Sequence, residues 1–261
     1  MSTSRNTLRI LDSHAADYLN RFAFYLDATD EVFELQGKMG LDAAAMQALP
    51  GEDQNLIKTY VFLAESANTT WAAALRLLSS GFVADSYALI RILYEIGALL
   101  HYGNSSPPAT RSEVYATMFK SGLSEEEHRK QEWSLIQKST RLLEGESPGL
   151  APVRRELNNF GAHISRAKVV LGNITALGTS SASRVFTPNW SDRAYLAGLD
   201  FLLTITTFIV EEYAKLHATY AGVAQDVLSK VTGLGKKFAS TVRPRLQRMM
   251  RNSRDPARTY R

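Results

Sequence analysis

Two short stretches of this chain carry side chains whose types and spacing could do chemistry. The first is "RRELNNFGAHISR", Arg154 to Arg166. At about 100° per residue on a helix, Arg155, Asn159, His163 and Arg166 fall within about 80° of one another. Val153, Leu157, Phe160 and Ile164 take the opposite side. An imidazole titrates near neutral pH and so can both accept and donate a proton. A guanidinium beside it can stabilise the charge that builds on a phosphate under attack, and an amide can position that phosphate. The same pattern is also what a surface helix shows, with polar residues opposite an apolar stripe.

The second stretch is "YALIRILYEIGALL", Tyr87 to Leu100, apolar on every side except for Arg91 and Glu95. These two are four residues apart, on one face. At a surface such a pair contributes only about 0.3–0.5 kcal/mol. The neighbours Ile90, Ile92, Leu93, Tyr94, Ile96 and Leu99 point to a core helix instead. In a core the two charges lose hydration and must recover it from partners. The pair then either fixes helix register as a structural salt bridge or lines a polar site. Asn68, the lone amide of its own helical stripe, is a candidate partner for Glu95. Tyr87, Tyr94 and His101 could complete the network.

The elements that position these residues all follow the helical period, and no sustained alternation marks a strand. The reading is all-α: an antiparallel helical bundle domain over residues 1–230 and a basic, partly amphipathic C-terminal tail over 231–261. Helices are expected over about 7–35, 52–79, from about 83 to the break at "GNSSPP" (103–108), 109–120, 124–143, 152–171 and 192–228. Gly81 suits the left-handed residue that ends a helix. So short a link makes the helices on either side of it antiparallel neighbours. "SEEE" places Ser124 as an N-cap with Glu127 closing a capping box. "GTSSASRVFTPNWSD", residues 178–192, reads as a polar loop, and "TGLGKK", residues 232–237, as a flexible break.

The helix pair reading "LRLLSSGFVADSYALIRILYEIGALL", followed much later by "LNNFGAHIS", resembles the HEPN superfamily of helical nucleotide-binding proteins. The resemblance runs from about 57 to 216. It implies a helical bundle, a homodimer, and a metal-independent endoribonuclease of toxin or antiphage defence systems. The family motif is an arginine, a polar residue, three further residues and a histidine. Here "NNFGAH" matches at Asn159 and His163, while Asn158 stands where the arginine is expected. Under the resemblance His163 is the general acid and base and Asn159 positions the phosphate. Arg155 or Arg91 supplies the missing guanidinium, with Glu95 holding Arg91. RNA is the implied partner.

Bulk composition adds exclusions and one asymmetry. The chain has 261 residues and no cysteine, which removes disulfides, thiolate metal sites and cysteine catalysis. There is no HExxH, no P-loop, no GxGxxG and no GxSxG, so neither a metal nor a bound cofactor is expected. The N-terminal "MSTSRNTLRI" has no apolar core of a signal peptide, and a cytoplasmic location is expected. From Lys236 to Arg261 there are nine Lys/Arg and one acid, which leaves 21 basic and 25 acidic residues in the remainder. Lys236, Lys237, Arg243, Arg245, Arg248 and Arg251 surround apolar residues at helical steps and are candidates to bind nucleic acid. An anionic membrane surface and a protein partner are the other candidate occupants of this tail, and a non-enzymatic dimerisation module is the competing function.

Overall fold

The structure, a computed structural model, describes residues 12–13, 15–16, 19–39, 47, 49–105, 108–119, 122–161, 192–220 and 225–252, with backbone alone at 52, 108–110, 159–161 and 192–194. Among these residues it is all helical: α1 (Ala23–Gly37), α2 (Gly51–Ser79), α3 (Val83–Asn104), α4 (Pro108–Phe119), α5 (Glu125–Glu146), a 3₁₀ turn (Pro148–Leu150), α6 (Ala151–Gly161), α7 (Asp192–Tyr220), α8 (Gln225–Thr241) and α9 (Arg243–Asn252).

The α2–α3 corner follows from Gly81, whose φ of 84° closes the end of α2. The Phe82 N–H donates to the Leu77 carbonyl at 2.8 Å and the Gly81 N–H to the Leu78 carbonyl at 2.9 Å, capping carbonyls that α2 leaves open. The start of α2 then meets the end of α3. Tyr60 is fully buried, and a Cβ on Gly103 would land on its hydroxyl, so only glycine lets the two helices approach this closely.

α3 is the central element and packs against α2, α7, α6 and α5. Its Ile90, Leu93, Tyr94, Ile96 and Leu100 join Leu199, Leu202, Ile205 and Ile209 of α7 in the main core. The apolar run Phe201–Val210 is therefore core, as its length requires. No helix among the described residues is long and apolar enough to cross a membrane. At the start of α5 the capping box is present: Ser124 accepts from the Glu127 N–H, and Glu127 accepts from the Ser124 N–H at 2.9 Å.

The C-terminal region differs from the sequence reading. Residues 232–237 are no break, because α8 runs through Gly233 and Gly235 to Thr241. The reason is packing: Val231, Leu234, Phe238, Val242 and Leu246 are buried in the main core against α7 and α1. That burial outweighs the helix cost of two glycines, about 1 kcal/mol each. The chain bends at Val242, and Pro244 sits in the first turn of α9, where it blocks no hydrogen bond.

Candidate functional site

Arg91 and Glu95 form the intrahelical pair that their spacing predicts, with Arg91 Nε donating to Glu95 Oε1 at 3.0 Å. The pair is not deep in the core. Its side chains are 24% and 23% exposed and the neighbouring Ile92 is 43% exposed, so this edge of α3 meets solvent. Ile90, Leu93, Tyr94, Ile96 and Leu99 are buried as expected. Asn68 does not serve Glu95. It lines a cleft of about 500 Å³ with Phe33, Lys58, Phe62 and Tyr213. Trp71, three residues further along α2, packs edge-on against Phe33 of α1 at 4.6 Å. The corner at Gly81 fixes which residues share a level along α2 and α3, but not which way each side chain turns around its axis.

α6 packs along α3. Leu157 is fully buried between the helices and Arg155 on the other side is exposed, as the amphipathic pattern predicts. A polar clasp fixes the start of α6: Arg154 Nη1 donates to Glu144 Oε1 at 3.0 Å, and the Tyr94 hydroxyl donates to the same oxygen at 3.5 Å. Burial, reinforced by the Glu144 charge, pushes the Tyr94 phenol up. Asn159 lies in α6 by its backbone. Its side chain and all of His163 and Arg166 lie outside the described residues, as do the loop 178–191 and the tail beyond Asn252.

A second polar cluster, unforeseen as a whole, joins α3, α5 and α7. His101 is 7% exposed. Its Nε2 stands 2.9 Å from Glu146 Oε2, and its Nδ1 stands 3.3 Å from Glu212 Oε1. Glu212 is 1% exposed and accepts from Asn104 Nδ2 at 2.9 Å and from Lys215 Nζ at 2.5 Å. Burial alone would raise the Glu212 carboxyl, but hydrogen bonds from His101, Lys215 and Asn104 outweigh it and hold the pKa below the usual range. The hydrogen bond to Glu212 raises His101 against the opposing effect of burial. Both ring nitrogens face carboxylates, so the ring ties α3 to α5 and α7, and protonation strengthens the tie. Beside it, Arg111 Nε donates to the Gly103 carbonyl at 3.1 Å and Nη1 to the Tyr220 hydroxyl at 2.9 Å. In the sequence His101 stands out only as a possible member of the Arg91–Glu95 network, and nothing marks Glu212. Its partner His101 is 111 residues away, and no local pattern links the two.

The basic residues of the C-terminal helices divide into two sets. Lys237 pairs with Glu31 of α1 at 2.5 Å. Arg243 donates to Asp200 Oδ1 at 2.9 Å and to Thr204 Oγ1 at 2.6 Å. These two tie α8 and α9 to the body. Lys236, Arg245, Arg248 and Arg251 are exposed, and the Arg245 guanidinium lies over the Phe24 ring, 3.8 Å from its centroid.

No group of three or more His, Asp or Glu side chains among the described residues could hold a metal ion. Comparison with family models, curated proteins and solved structures finds no match. Fold and site together define, among the described residues, an all-helical protein whose central helix carries a charged pair at a solvent-facing edge and packs against α6.

Proposed function

We propose that this chain is an HEPN-like, RNA-directed protein that cuts RNA without a metal, in a toxin or antiphage defence system of the cytoplasm. The observation that carries the reading is the packing of α6 along α3, which brings the helix of Arg155 and Asn159 against the helix of Arg91 and Glu95. In this reading the bundle is antiparallel and works as a homodimer. His163 takes the proton of a ribose 2′-hydroxyl as that oxygen attacks the adjacent phosphorus, and returns a proton to the departing 5′-oxygen. Arg91, held by Glu95, or Arg155 stabilises the extra negative charge on the phosphate oxygens. Asn159 positions the phosphate. The test is RNA cleavage in EDTA by wild type, His163→Ala and Arg91→Ala at equal folded concentration. Cleavage by wild type alone supports the reading. Equal cleavage by His163→Ala, or no cleavage of several RNAs by wild type, removes it.

One observation favours a second reading, a non-enzymatic module that dimerises. Phe62 and Phe119 are 56% and 50% exposed with ring centroids 6.3 Å apart, and Tyr115 stacks on Phe119 at 5.6 Å. An exposed aromatic cluster of this kind suits the centre of an interface. Under this reading Phe62→Glu with Phe119→Glu turns a dimer into a monomer by light scattering, and His163→Ala changes nothing.

A further inference from the structure

The six basic residues of the C-terminal region had three candidate occupants: nucleic acid, an anionic membrane and a protein. The packing of α9 counts against the membrane. A basic amphipathic helix binds a membrane by burying its apolar face among the lipids while its cations meet the headgroups. In α9 that face is already spent. Leu246 is fully buried, and Met249 and Met250 are half-buried against the main core. What α9 offers to solvent is charge without an apolar side.

That charge is ordered. Arg245, Arg248 and Arg251 follow at three-residue steps, so each is turned by about 60° from the last and the three cover about 120° of the helix. They span about 9 Å along the axis. No acidic partner faces any of the three among the described residues, unlike Lys237 and Arg243. Arg21 is a further exposed cation linked to Arg245 through two rings: it lies 5.5 Å from the Phe22 ring, whose centroid is 6.3 Å from that of Phe24. Arg245 has a further property. Its guanidinium is backed by the Phe24 ring, which leaves the opposite face of the group open to stack on a base. A base is available for stacking only when it is unpaired.

We propose that the outward edge of α9, formed by Arg245, Arg248 and Arg251 and extended by Arg21, binds the backbone of a single-stranded nucleic acid, with Arg245 on Phe24 as a shelf for one base. The choice of RNA as the natural strand rests on the function proposed above. The binding surface itself does not, and it is tested with a strand that a ribonuclease cannot cut.

The experiment uses the full chain and a labelled oligo(dT) of about twelve nucleotides, with fluorescence anisotropy read between about 50 and 200 mM salt. The variant carries Arg245→Gln, Arg248→Gln and Arg251→Gln, since glutamine keeps nearly the helix propensity of arginine. A control removes three charges elsewhere, through Arg129→Gln, Lys130→Gln and Arg141→Gln on α5. Circular dichroism and melting temperature confirm that both variants are folded. The expected result is binding by wild type and by the control. In the α9 variant binding is weaker by about tenfold or more at low salt, with the slope of log K against log salt reduced by about 2. Binding by the α9 variant equal to wild type overturns the proposal, and so does an equal loss in the control. Tighter binding to the same sequence as a duplex overturns the stacking shelf. Failure of wild type to bind oligo(dT), together with α9-dependent binding to phosphatidylserine vesicles, replaces the nucleic acid with a membrane. None of these outcomes depends on whether the chain cuts RNA.

Discussion

His217 offers a prediction whose size follows from its surroundings. It is 3% exposed, its ring meets Tyr213 edge-on at 4.3 Å, and its Nε2 has no hydrogen-bond partner. Burial pushes its pKa down from 6.5 to about 4. The folded state thus keeps a neutral ring at pH values where the unfolded chain already holds a proton. Its contribution to stability is complete above the unfolded value of 6.5. It falls as pH drops from there towards the folded value of about 4. At about 1.4 kcal/mol per pKa unit the whole loss is about 3 kcal/mol, of which about 2 is reached by about pH 5. His217→Phe keeps an aromatic ring beside Tyr213 and removes the titration. Urea unfolding of both proteins from about pH 7.5 to about pH 4.5 gives a stability difference at each pH, from which the other titrating groups cancel. The difference should move by about 2–3 kcal/mol in favour of the phenylalanine variant as pH falls. A difference that stays flat across this window refutes the claim that burial keeps His217 neutral.

Other consequences follow from the same packing. Gly103→Ala drives a methyl into the Tyr60 hydroxyl, and overpacking of this severity should cost about 3 kcal/mol, read as a lowered urea midpoint. Wild-type stability in that variant would mean that α2 and α3 do not meet there. His101 has the opposite sign to His217. Its folded pKa is raised, so the stability it adds is full below the unfolded value near 6.5 and is lost as pH climbs through the folded value. His101→Gln should therefore hurt most in mild acid and less as pH rises, by unfolding in the same series of buffers. Ser124→Ala removes the N-cap of α5 and should lower stability by about 1 kcal/mol, measured by thermal melting.

The parts of this fold that could be read in the sequence are those governed by near neighbours. Gly81 ends α2 because a left-handed residue is needed there, and "SEEE" begins α5 because its own side chains satisfy the first N–H groups. That α2 and α3 are packed neighbours followed from the shortness of their link. Local rules failed where distant contacts decide. Gly233 and Gly235 look like a break until Val231, Leu234 and Phe238 are seen to be buried against α7. Arg91 and Glu95 sit among apolar residues in sequence, yet one edge of α3 meets solvent, which no periodicity of α3 alone distinguishes from a fully buried helix. The Arg91–Glu95 ion pair was found from residue types and spacing, whereas the His101–Glu212 clasp joins residues whose proximity only the assembled bundle creates.

The bond from Lys237 to Glu31 joins positions 206 residues apart, and α1 finds most of its helical neighbours in α7 and α8. A ribosome adding about 5–20 residues per second needs about 10–40 s to make the chain between them. Over that interval α1, whose Tyr25, Val32 and Leu35 are buried in the finished protein, lacks α7 and α8, the helices it packs against most. The helix made early in synthesis is thus among the last to be secured. In the cell, α1 is the segment on which a chaperone would act and at which a stalled or shortened chain would first aggregate.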